Sequence, residues 1–182
     1  MATPVSKKAK TSRPAKKNTL AKNAFVWNYA PAPESADHIE IKKRYEHFIN
    51  GQFVKPSTGK YFSSINPANG KVLSEVAHGN AKDADMALQA AHTAYSKYWR
   101  KLNGKERGKY IYRIARMIQE RARELAVIES IDGGKPIRES RDIDVPLAAN
   151  HFFYYAGWAD KLNYAFPNRQ PEPLGVAAQI IP

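Results

Sequence analysis

Apolar residues keep a period of two between Tyr45 and Ala77, then switch to a period of three to four from Asn80 onward. That switch constrains the fold more than any other feature. Alternate residues share one face of a strand, and residues three and four apart share one face of a helix. A small β layer followed by helices is therefore expected. In the first stretch, "YEHFINGQFV" places Asn50-Gly51 between alternating apolar positions, the mark of a two-residue hairpin. Gly51 supplies a positive φ without steric penalty. Turns at 57–59 and at Asn69-Gly70 then separate strands predicted near 61–65 and 71–77.

The helical stretch opens with Asn80 as a cap and with Asp83 and Asp85 in the first turn, where acids suit the positive helix end. Ala84, Ala87, Leu88, Ala91, Ala94, Tyr95 and Tyr98 form one face. A second helix is predicted from about Lys105, with Ile111, Ile114, Ala115, Ile118, Ala122, Leu125 and Ala126 as its stripe. Gly133-Gly134 ends it and Pro136 prevents continuation. A third helical region runs over about 137–162, broken by Pro146 with Asp144 placed to cap the second piece. In "HFFYYAGWADK", Phe152, Tyr155 and Ala159 are assigned to core in preference to base stacking. The Pro-rich connection "LNYAFPNRQPEP" leads to a final apolar run, 174–181, which reads as a buried strand.

Charge is concentrated at the start. The net charge is +12, and residues 1–33 carry seven bases (Lys7, Lys8, Lys10, Arg13, Lys16, Lys17, Lys22) and no acid. The remaining 22 bases face 17 acids. The expected organisation is a basic disordered tail over 1–33, a linker over 34–45, and a globular part over 46–182 that includes a short arm-like segment at 163–173. The tail's composition cannot offset ordering entropy. Its default reading is a solvated extension, and the alternative is an arm that binds nucleic acid or an acidic surface. No apolar run reaches membrane-spanning length and no signal-peptide core is present, so no membrane association and a cytoplasmic location are expected.

Generic site chemistry is sparse. There is no Cys, hence no disulfide, thiolate ligand or thiol nucleophile within these residues. His38, His47, His78, His92 and His151 make no metal-binding spacing. No hydrolase elbow, dinucleotide fingerprint or P-loop occurs. Asp132, Asp142 and Asp144 sit near helix ends, where capping is the default role.

Taken in order, "FINGQFV", "INPANGKVLSEVAHG", "DADMALQAAHTAY", "RGKYIYRIARMIQERARELAVIESIDGGKP", "YYAGWADK" and "PLGVAAQIIP" resemble the aldehyde dehydrogenase superfamily over residues 46–182. The resemblance implies an α/β fold made of the outer helices, the N-terminal β-hairpins and the first strand of a Rossmann-type cofactor domain, with the sheet incomplete. It also implies that the chain stops just before a Trp-Asn-Phe-Pro motif. The family reaction uses a Cys thiolate that captures an aldehyde, an oxyanion held by preorganised donors, and hydride transfer to NAD or NADP. Without a Cys, this N-terminal portion is expected to be inactive alone. An aldehyde substrate, a homo-oligomer or a complementary C-terminal half would belong to the complete protein, and nucleic acid is not an expected partner.

Two sets of positions carry over from the resemblance. Gln179, Ile180, Ile181 and Pro182 match the end of a strand that lines the cofactor site, and strand core is the other reading for the two isoleucines. Asp132 and the main chain at Ile65 match positions that ligate a structural monovalent cation in some family members. Helix capping is an equal explanation for Asp132. The short segment 163–173, with Pro167, Pro171 and Pro173, departs from the family's longer oligomerisation arm, because each Pro removes a ladder donor.

Overall fold

The computed structural model describes residues 35–181. The readings of the basic tail and of Pro182 lie outside the described residues. Within them, five short strands precede six helices, in the order that the change of period predicts.

Strand β1 (Arg44–Tyr45) pairs in parallel with β5 (Val72–Ala77), and β5 pairs antiparallel with β4 (Tyr61–Ile65), giving the order β1-β5-β4. Strands β2 (His47–Ile49) and β3 (Gln52–Val54) form a separate hairpin. Its turn residues, Asn50 at φ 53° and Gly51 at φ 78°, are both left-handed. That geometry matches the right-handed strand twist, which explains why Asn-Gly occurs there. Phe48 faces Phe53 across the hairpin with ring centroids 5.3 Å apart. Between β4 and β5 the register shifts at Ser64/Ile65, so Leu73 is the extra residue of a bulge.

Helix α1 (Ala81–Lys97) begins with a reciprocal capping box. Asn80 accepts from the Asp83 amide, and Asp83 accepts from the Asn80 amide. Its apolar face is present but uncovered among the described residues: Leu88 is 50% exposed. Tyr95 is its best-anchored residue, donating to the Pro173 carbonyl at 2.7 Å.

The single helix expected over 105–133 is two helices, α2 (Gly104–Glu120) and α3 (Ala122–Gly133), separated at Arg121. Arg121 has φ −104° and ψ 16°, outside helical geometry, and its side chain pairs with Glu124 at 2.6 Å. Neither Gly nor Pro marks this break. The stop at the far end is as expected: Gly134 is left-handed at φ 72° and its amide bonds to the Ser130 carbonyl.

Helix α4 (Ile137–Glu139), a π-helical turn (Ser140–Asp144) and α5 (Val145–Trp158) run on continuously. Pro146 therefore does not break the rod. The wider π turn just before it absorbs the missing amide donor. Asp144 is itself helical and caps nothing, pairing instead with Lys135 at 2.5 Å. A short helix, α6 (Leu162–Ala165), follows.

Small residues make the core. Ala77, Ala115, Ala126, Val127 and Ala149 are buried. At the α2–α5 crossing, a Cβ on Gly104 would lie 2.2 Å from the Ala159 carbonyl oxygen. One on Gly108 would lie 3.0 Å from that of Ala156. This close approach turns Ala149, Phe153, Ala156 and Ala159 inward, while Phe152 and Tyr155 point out; Tyr155 is 60% exposed. The assignment of Phe152 and Tyr155 to core was off by one residue along the helix.

The final strand is absent. Residues 167–181 form no ladder, and Leu174 and Ile180 are fully exposed. A strand exists only by bonding to a neighbour, and no described strand lies beside this segment. The sheet is incomplete, and the exposed aromatics of α5 and α6 give the uncovered apolar surface that follows from it.

Candidate functional site

The β4 end and α3 meet at the position expected for a cation. The Ser64 hydroxyl donates to the Asp132 carboxylate, which brings Asp132 beside the strand end carrying Ile65. Asp132 does not cap a helix. It borders a cavity of about 390 Å³ between the sheet and α3, whose apolar walls include Tyr45, Phe62, Val76, Ile128 and Ile131. Oxygen donors of this kind suit a hard ion. Among the described residues, no cluster of three His, Cys, Asp or Glu side chains forms a metal-binding group.

Asp142 is not a cap either; it pairs with its neighbour Arg141 at 2.6 Å. That hydrogen bond holds the Asp142 carboxyl below the usual carboxylate range, against a smaller opposing effect of desolvation.

A second polar cluster was only half legible in the sequence. Asp83, 4% exposed, accepts from the Ser57 amide at 3.0 Å and the Ser57 hydroxyl at 3.2 Å as well as capping α1. His47 Nε2 lies 3.7 Å from its carboxylate. Desolvation pushes the Asp83 pKa up, but the amides of Ser57 and Asn80, the Ser57 hydroxyl and His47 together outweigh it and leave the group below its ordinary value. One carboxylate thus ties the 57–59 turn, the β2 hairpin and the start of α1 together. The Asn80–Asp83 spacing signalled the cap, while nothing in the sequence signalled the link to Ser57.

Gln179, Ile180 and Ile181 do not line the cavity beside Asp132 and join neither of these clusters. Their side chains are exposed, so as placed they make no enclosed nucleotide cradle. Pro182 lies outside the described residues. No described helix is long and apolar enough to cross a membrane.

Residues 53–182 match the sequence model of the aldehyde dehydrogenase family. An aldehyde dehydrogenase of Vibrio cholerae is 40% identical over 161 residues, covering 84% of this chain and 32% of the relative. A long-chain-aldehyde dehydrogenase of an Acinetobacter species is 38% identical over 167 residues, covering 85% and 32%. Among solved structures, HpcC from Thermus thermophilus superposes with a TM-score of 0.62 at 40% identity, over 65% of this chain and 22% of that one. An NAD+ complex of aldehyde dehydrogenase from Bacillus cereus gives 0.63 at 37% identity, over 65% and 24%. The chain spans about a third of the length of the curated relatives it matches. With the order of elements and the incomplete α/β sheet in agreement, the chain belongs to the aldehyde dehydrogenase family.

Proposed function

We propose that these residues are the outer layer of the cofactor domain of an NAD(P)-dependent aldehyde dehydrogenase, and that they perform no turnover alone. The observation that carries this reading is a family match over residues 53–182 in a chain with no Cys. The reaction needs a thiolate, because covalent capture of the aldehyde creates the hydride donor. In the complete protein, Gln179, Ile180, Ile181 and Pro182 would supply one wall of the cofactor site. The solved Bacillus cereus relative is an NAD+ complex, which supports the choice of cofactor. The exposure of Gln179, Ile180 and Ile181 fits a wall that lacks its opposite side, and no chemical step is assigned to the four residues. Asp132, with the main chain at Ile65, would hold a monovalent cation that pins α3 to the sheet edge. The substrate is an aldehyde, and the complete protein works as an oligomer or with a complementary C-terminal half.

A chimera tests this. Residues 1–182 joined to the remainder of the Vibrio cholerae relative should fold and form NADH in the presence of an aldehyde. A chimera that folds by circular dichroism yet neither binds NAD nor turns over would remove the reading.

A further inference from the structure

The cleft between α2 and α5 is built entirely from the best-packed helix pair, so it needs no other part of the protein to exist. It has a volume of about 540 Å³. One wall carries Lys105, Lys109 and Arg113, all exposed, at successive i, i+4 positions. Four residues of helix rise about 6 Å, so these cations form a row about 12 Å long that winds about 80° round α2. The floor carries Tyr112 and Phe153, with ring centroids 5.1 Å apart in an edge-on arrangement. Gly157 leaves the opposite wall low, since a Cβ there would meet nothing within 4 Å.

No carboxylate lines the cleft. At the row's start Asp160 is bonded to Lys161 at 2.7 Å and also feels the charge of Lys105. The base beyond its end, Arg116, is paired with Glu120 at 3.6 Å. Lys105, Lys109 and Arg113 make no ion pair among the described residues. An ordinary solvated helix face interleaves acids with its bases, as α2 does at Arg116–Glu120. Here Lys109 and Arg113 have no carboxylate partner among the described residues, and they flank the exposed ring of Tyr112 and the half-buried ring of Phe153.

The geometry points to single-stranded nucleic acid as the ligand of this cleft. The row would track successive phosphates while Tyr112 and Phe153 offer faces for the bases. A simple anionic surface would use the row but not the rings, and an acidic peptide would have no use for a stacking floor.

The test uses the full chain and a labelled short oligothymidylate, titrated across salt concentrations. Lys105→Gln, Lys109→Gln and Arg113→Gln combined should reduce the slope of log affinity against log salt by about two, at roughly 0.7 per phosphate contact. Tyr112→Ala should weaken binding about tenfold at unchanged slope, and Tyr112→Phe should restore it. The tail's seven bases are present in every variant, so their contribution cancels in the comparison. Circular dichroism checks that each variant folds. The inference is overturned if the triple variant keeps the parent's slope. It is also overturned if Tyr112→Ala binds like the parent, or if inorganic polyphosphate or polyglutamate competes as well as unlabelled oligothymidylate.

Discussion

Replacing Gly104 by Ala isolates the close approach of α2 and α5 from every other contribution. The new methyl would sit 2.2 Å from the Ala159 carbonyl oxygen, 2.9 Å from the Asp160 Cα and 3.0 Å from the Ala159 carbonyl carbon. All three are backbone atoms, so no flexible side chain can move aside. Relief requires shifting the end of α5 by about an ångström, in the range where overpacking costs about 1–3 kcal/mol. Gly104 is the first residue of α2, so the propensity gain of Ala is small there. A net loss of about 2–3 kcal/mol is expected. Gly108→Ala is the comparison. Its methyl would lie 3.0 Å from the Ala156 oxygen, and Gly108 is in the helix interior. The propensity gain of about 1 kcal/mol offsets the milder crowding, so a change within about 1 kcal/mol is expected. Urea unfolding of the three proteins measures this, read as midpoint shifts at constant slope. If Gly104→Ala unfolds at the same midpoint as the parent, the α2–α5 crossing is not as close as described and the reasoning fails.

Ser140 is fully buried and its hydroxyl has no hydrogen-bond partner, so Ser140→Ala should raise stability by about 1 kcal/mol in the same assay. Asp83 has a folded pKa below its unfolded value, so its contribution to stability is complete above about pH 4 and is lost as pH falls through the lower folded pKa. Asp83→Asn should flatten that acid limb of the stability–pH curve; a curve that keeps its shape would show that other carboxylates dominate. Asp132→Asn should abolish any stabilisation of the chain by added sodium or potassium over a large-cation control, measured as a melting-temperature difference.

The β part of the fold was legible because turn chemistry is local. Asn50-Gly51 fixes both left-handed turn residues, and alternation does the rest. The first cap was legible for the same reason, since Asn80 and Asp83 satisfy each other within one turn. The break at Arg121 was not, because no Gly, Pro or change of stripe accompanies it. Pro146 misled in the other direction: a π turn accommodates a missing amide without ending the rod, and only the backbone records that. The run 174–181 has a strand's composition, yet strand formation is decided by a partner rather than by composition. Of the site, the meeting of Asp132 with the β4 end could be anticipated only through the family. The basic row of α2 was visible in principle as i, i+4, i+8 spacing, but the aromatic floor beside it needs the α5 crossing to be known.

The central claim is that these residues position chemistry they do not contain. Purified residues 1–182, incubated with a panel of aliphatic and aromatic aldehydes and with NAD or NADP, measure it most directly through the growth of reduced nicotinamide absorbance. The account predicts no aldehyde-dependent signal with either cofactor. Sustained reduction that scales with chain concentration and survives thiol alkylation would show a catalyst without a thiolate, and would contradict it.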